Sequence, residues 1–151
     1  MSQTAQPPGS EPALRIFAMP KDANANGDVF GGWVMSQMDL AGAVPAVDRA
    51  GGRIATVAVN AMRFHQPIAV GDLVTCYATI EGVGKTSISV KVETWAKRRR
   101  TTDQVKVTEG TFVYVAINDS GAKRALPPGT QSRKTKFKVT KLPPRTLKLK
   151  N

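Results

Sequence analysis

Apolar positions along this chain follow two different spacings, and the change from one to the other separates a helical segment from a run of strands. Val34, Met38, Ala41 and Pro45 stand at i, i+4, i+7 and i+11, with Met35 and Gly42 beside them. That is the spacing of one helix face, and it predicts a helix over residues 33–49. Pro45 has no N–H to give to the carbonyl of Ala41, which costs about 3 kcal/mol in a helix interior, so a kink or an early helix end is expected there. Asp48-Arg49-Ala50-Gly51-Gly52 follows, and its glycines supply the C-terminal stop.

After Gly52 the period falls to two. Residues 53–64 are rich in β-branched and apolar side chains and read as a strand. Over residues 73–80, Val74, Cys76, Ala78 and Ile80 share one face and Thr75, Tyr77 and Thr79 the other; over residues 88–96, Ile88, Val90 and Val92 alternate with Ser89, Lys91 and Glu93. Glu81-Gly82-Val83-Gly84-Lys85 reads as the hairpin turn between these two strands. Residues 105–118 form a further strand, reached through the basic loop 97–103, and residues 14–19 a short first strand. A short strand, one long helix and four antiparallel strands give an α+β domain, a single sheet that must bury one face and does so on the helix.

The chain has 151 residues, 41% hydrophobic and 22% charged, which fits one globular domain rather than two. The formal net charge of +11 first suggests a nucleic-acid binder. The charge is unevenly placed, however: residues 128–151 hold eight basic and no acidic residues, whereas residues 13–127 hold fourteen basic and ten acidic. Phe137 is the only aromatic in the basic stretch, poor support for stacking on bases. The expected organisation is a disordered tail over residues 1–12, a domain over 13–127, and a basic tail over 128–151, part of which could dock as an added strand through Phe137, Val139 and Leu142. No apolar run is long enough to span a bilayer, and residues 1–12 lack the pattern of a secretory signal. One cysteine, Cys76, and one histidine, His65, leave no intrachain disulfide and no Cys/His zinc site. The cytoplasm is the expected compartment.

Among residues that could carry chemistry, Asp39 stands out because it lies inside an otherwise apolar helix, with Met35 one turn before it and Gly42 and Ala43 one turn after. A carboxylate there either points to water from the helix edge or occupies a pocket opened by those small neighbours. Asn24, in Asp22-Ala23-Asn24-Ala25-Asn26-Gly27-Asp28, either belongs to a turn or projects its amide into a pocket at the helix start. Gly31-Gly32 would leave helix N-terminal N–H groups open to an oxyanion, or simply allow close packing. No Gly-x-Ser-x-Gly elbow, Walker loop or dinucleotide fingerprint is present. His65 reads as an edge residue and Cys76 as a core residue.

The block Met19-Pro20-Lys21-Asp22-Ala23-Asn24-Ala25-Asn26-Gly27-Asp28-Val29-Phe30-Gly31-Gly32-Trp33-Val34-Met35-Ser36-Gln37-Met38-Asp39 closely resembles the signature of hotdog-fold acyl-CoA thioesterases of the bacterial YciA type, related to the brain acyl-CoA hydrolase group. The resemblance continues through Thr56-Val57-Ala58-Val59, Phe64-His65-Gln66-Pro67, Val70-Gly71-Asp72, Gly84-Lys85-Thr86-Ser87 and Arg124-Ala125-Leu126-Pro127, covering roughly residues 14–127. It implies the hotdog fold, an antiparallel sheet wrapped around one long helix, and hydrolysis of acyl-CoA to free acid and CoA with no metal or added cofactor. It assigns catalysis to Asp39, as general base or as nucleophile, with Asn24 supplied by the adjacent subunit and the Gly32 N–H at the oxyanion. Gly31, Lys85, Thr86, Ser87, Lys97 and Arg98 are the implied neighbours of CoA. It further implies a homo-oligomer, a trimer of dimers, and an acyl tunnel lined by Met35, Met38 and Met62. Pro45 departs from the family pattern, in which an apolar residue is expected. Two rival readings are a hotdog enoyl-CoA hydratase, which would pair His65 with the acid, and a non-enzymatic basic-tailed binding protein.

Overall fold

The computed structural model describes residues 6–129. Its elements are β1 (Leu14–Phe17), a 3-10 turn (Pro20–Asp22), α1 (Gly31–Ala50), β2 (Ile54–Phe64), β3 (Leu73–Val83), β4 (Ser87–Lys97) and β5 (Gln104–Ala116). All pairings are antiparallel, in the spatial order β1-β3-β4-β5-β2. The single helix covers one face of the sheet, as the change of period implied. Met38 and Ala41 from the helix and Val74, Cys76, Val90, Val92 and Phe112 from the strands are almost wholly excluded from solvent. Cys76 lies here, its thiol 3.4 Å from Thr94 Oγ1, and burial pushes that thiol up to about 11.

The helix runs through Pro45 to Ala50 and does not end early. Ala46 and Ala50, beyond the proline, are buried against the sheet, and that packing holds the last turn despite the missing hydrogen bond. Gly51 closes the helix in the left-handed region, φ 65°, its N–H bonded to the carbonyl of Val47 at 2.9 Å. Arg124 then reaches back to the Ala50 carbonyl at 2.9 Å, and Arg49 to that of Pro127 at 2.7 Å. The segment after β5 thereby crosses the helix C-terminus, which gives Arg124-Ala125-Leu126-Pro127 a structural task.

Two strand-level expectations change. The β3–β4 ladder continues past Ile80 to Val83 through a bulge at Glu81, so the turn is confined to Gly84, Lys85 and Thr86 and closes with Gly84 N–H on the Ser87 carbonyl at 2.8 Å. The sheet face away from the helix is also less open than alternation implies, because Thr75, Tyr77 and Trp95 are buried on it. Pro8 shares a groove of about 290 Å³ with Tyr77 and Thr79 on that face. Residues 6–12 hold no helix or strand. Residues 1–5 and 130–151, including nearly all of the basic tail and the strand considered within it, lie outside the described residues. Among the described residues no helix is long and apolar enough to cross a membrane.

Gly42 shows how tightly helix and sheet are matched. A Cβ there would run into the hydroxyl of Tyr114, which donates to the backbone carbonyl of Asp39 at 2.8 Å. Burial first, and then the neighbouring Asp39, raise the Tyr114 phenol far above its usual range, so it stays a donor. Gly42→Ala should therefore destabilise the fold by about 1–3 kcal/mol, despite the better helix propensity of alanine, as read from the urea midpoint of unfolding.

Candidate active site

Asp39 sits two turns into α1 on the border of the core, half-buried, and its position is fixed from two strands. Thr56 Oγ1, on β2, donates to Asp39 Oδ1 at 2.8 Å, while Tyr114, on β5, holds the backbone of the same residue. The carboxylate is thus neither splayed into solvent nor paired with a cation. One oxygen is oriented by a neutral hydroxyl, and the Tyr114 hydroxyl lies beside the same carboxylate. Thr56 was not singled out from the sequence, since a threonine in a β-branched strand is ordinary. Its only signal was membership of Thr56-Val57-Ala58-Val59 in the family resemblance.

The loop before the helix is organised by Asn24. Its Oδ1 accepts from the N–H of Asn26 at 2.9 Å and of Asp28 at 3.2 Å, and its own N–H bonds the Asp28 carbonyl at 2.8 Å. With Oδ1 held by two backbone donors, the carboxamide NH2 faces away from the loop and has no partner among the described residues. The turn reading and the pocket reading of Asn24 are therefore compatible: the turn fixes the oxygen and frees the donor.

Phe30 precedes α1 without a side-chain cap, and the first turn has no acidic residue. The N–H groups of Gly31 and Gly32 have no partner among the described residues and mark the positive end of the helix dipole. Gly31, though not Gly32, lines a cleft of about 260 Å³ whose apolar walls are Val29, Val34, Phe64 and Ile68, with His65, Gln66 and Thr108 as polar members. Met35, Met38 and Met62 do not line it; Met38 is fully buried in the core. His65 is exposed at the end of β2, its Nε2 3.8 Å from Glu109 Oε1. It belongs to the helix start, whereas Asp39 lies eight residues, or about 12 Å, beyond Gly31 along α1, so His65 of one protomer pairs with Glu109 and not with Asp39.

The residues implied as CoA neighbours do not gather in one protomer. Lys85, Thr86 and Ser87 form the β3–β4 turn, and Lys97 and Arg98 stand at the other end of β4. Ten residues of strand, about 33 Å, separate Ser87 from Lys97. Arg98 is moreover committed within the fold, at 2.5 Å from Asp72 Oδ2 and 3.0 Å from the Pro67 carbonyl. Asp72 is buried and also accepts the Ala69 N–H at 2.9 Å. Lys85 and Lys97 remain exposed. Among the described residues no three His, Cys, Asp or Glu side chains cluster as metal ligands.

One helix on a five-stranded antiparallel sheet, with a carboxylate at mid-helix and open amides at its start, is the arrangement that the hotdog resemblance implies. The Thioesterase superfamily model matches residues 26–102. Acyl-CoA thioester hydrolase YciA of Escherichia coli is 48% identical over 130 residues, covering 84% of this chain and 98% of the relative. The hexameric thioesterase y2039 from Yersinia pestis superposes with a TM-score of 0.76 at 48% identity, covering 80% of this chain and 99% of that one. Cj0915, a hexameric hotdog fold thioesterase of Campylobacter jejuni, gives a TM-score of 0.75 at 40% identity, covering 78% and 91%. The chain belongs to the thioesterase superfamily, as a hotdog-fold member of the YciA type.

The Arg98–Asp72 pair yields a prediction about the fold rather than the chemistry. Arg98→Ala would leave a buried carboxylate without its cation and should cost about 3 kcal/mol or more in unfolding free energy, measured by urea denaturation.

Proposed function

We propose that this protein hydrolyses acyl-CoA thioesters to the free acid and CoA at sites shared between two protomers. The observation that carries the reading is the polarity of α1. Backbone N–H groups of a helix point toward its N-terminus, so those of Gly31 and Gly32 aim away from Asp39, which lies seven residues, or about 10 Å, beyond Gly32 in the same helix. The carboxylate and the amides of one chain do not converge on one carbonyl, and two helices brought together in a dimer supply both. The name borne by the Escherichia coli relative supports acyl-CoA as substrate, and the hexameric state of the two solved relatives supports an assembly of three such dimers.

The surface for that dimer is consistent with its role. Among the described residues β2 is an edge strand with unpaired backbone groups, and it exposes Val57 and Val59 beside Thr56. Leu40, Val44 and Val47 of α1 are exposed as well, Leu40 at 60%. A second copy of the chain covers both strips and closes the site around Asp39.

In the reaction, Asp39 Oδ2 takes a proton from a water, whose oxygen attacks the thioester carbonyl carbon. Thr56 keeps the carboxylate aimed. The charge that develops on the carbonyl oxygen is met by the Gly32 N–H, with Gly31 beside it, and the Asn24 amide NH2 of the partner orients the carbonyl or the water. Collapse of the tetrahedral intermediate breaks the C–S bond, and the proton held by Asp39 passes to the leaving thiolate. No metal or further cofactor enters. Lys85 and Lys97, both exposed, are the side chains this reading assigns to phosphates of CoA, each as a solvent-exposed contact of modest worth. A reducing cytoplasm suits a chain with a single buried thiol.

Thiol release from an acyl-CoA series tests this directly. Asp39→Ala should lower kcat by about 10²–10⁴ with the fold intact. Asn24→Ala should also be impaired, and mixing the two variants under conditions of subunit exchange should restore part of the activity through hybrid sites. Exchange without any recovery would exclude the shared site.

A further inference from the structure

Besides the exposed His65 and Gln66, the cleft beside Gly31 contains one buried polar group that hydrolysis as described does not use. Thr108, on the helix-facing side of β5, is only 1% exposed, and its hydroxyl makes no hydrogen bond within the described residues. Among the described residues no fully sealed side-chain oxygen or nitrogen lacks a partner, so Thr108 Oγ1 is not fully sealed and keeps a trace of surface. That surface opens on the cleft, which Thr108 lines with Gly31, Val34, Phe64 and Ile68. The threonine two strand positions before the buried Gly110 is thus held in the wall by its backbone and methyl group, with its hydroxyl free.

We infer that this cleft receives the acyl group and that Thr108 Oγ–H reads an oxygen on it, so that short hydroxyacyl or ketoacyl thioesters are preferred over plain alkyl ones. The inference rests on the acyl-CoA reading and deepens it. A carbonyl held at the Gly31–Gly32 amides directs its acyl carbons along apolar walls, and about 260 Å³ suits a short chain. An alkyl chain filling that space displaces the water that otherwise satisfies the hydroxyl and leaves a buried polar group unpaired. A substrate hydroxyl or keto oxygen replaces that water. Sites built to bond a substrate oxygen discriminate strongly against the analogue that lacks it, whereas apolar walls alone discriminate weakly. Thr108 is a specificity residue in this account, and the bond-breaking step does not pass through it.

The test compares kcat/KM for 3-hydroxybutyryl-CoA and butyryl-CoA in the wild type, Thr108→Val and Thr108→Ser. The wild type should favour the hydroxyacyl substrate by about tenfold or more. Thr108→Val, isosteric and without a lost partner in the fold, should bring the ratio close to one by weakening the first substrate and improving the second. Thr108→Ser should keep the preference, and it serves as the readout with the wild type if the valine variant does not fold. A wild-type ratio near one overturns the inference. So does an equal loss on both substrates in Thr108→Val, which would place the hydroxyl at the thioester carbonyl itself. Either result leaves acyl-CoA hydrolysis standing, whereas no turnover of any acyl-CoA by the wild type overturns that reading and this one together.

Discussion

The direction of one helix governs this molecule. An α-helix offers its free donors only at its start, pointing outward along the axis, and side chains further along cannot meet them on a small electrophile. With Asp39 two turns inside α1 and the open amides at Gly31 and Gly32, the chain carries the two groups that the proposed hydrolysis needs but holds them apart. Everything else in the domain is arranged around that separation. The sheet buries one face of the helix and leaves the other, with Leu40, Val44 and Val47, uncovered. The edge strand next to Asp39 is long, exposes valines and is unpaired among the described residues, a combination that isolated monomers avoid. In the proposed dimer, association and chemistry are served by the same surface.

The sheet contributes more than a floor for the helix. Neighbouring strands β2 and β5 reach up to the same helical residue, one through a threonine and the other through a tyrosine. At the opposite end of the domain Arg98 neutralises the buried Asp72, and Asp72 in turn ties down Ala69 before β3. The cleft wall formed by Phe64 to Ile68 lies on that same connection, since Arg98 also holds the Pro67 carbonyl. Arg98, which the family resemblance implied as a neighbour of CoA, thus shapes the cleft beside the helix start from behind.

Much of this was legible from residue order alone. The helix, the sequence of strands and the interior position of Asp39 follow from spacing, because burial on one face imposes a period that sequence displays directly. Pro45 misled in part: its local penalty is real, but packing of Ala46 and Ala50 outweighs it, and tertiary burial leaves no local mark. Thr56 and Thr108 were invisible for a related reason. Both are ordinary strand residues, and their importance arises only when the fold places one hydroxyl on a carboxylate and the other in a cleft. The CoA neighbours show the converse. Lys85 to Ser87 and Lys97 to Arg98 are close in sequence, yet an extended strand of eleven residues puts them at opposite ends. Asn24 was legible as a turn former, but only coordinates show that the turn uses its oxygen and spares its nitrogen.

The double hold on Asp39 also couples reactivity to strand register. Its carbonyl answers to Tyr114 and its carboxylate to Thr56, and these two strands pair through a bulge located immediately after Thr56, between Thr56 and Ala58. Removing the extra residue of that bulge would invert the faces of β2 on one side of it, turning either Thr56 away from the helix or the rest of the strand out of alignment. An irregularity of a single residue in an edge strand is accordingly what sets the aim of the charged group in the neighbouring helix.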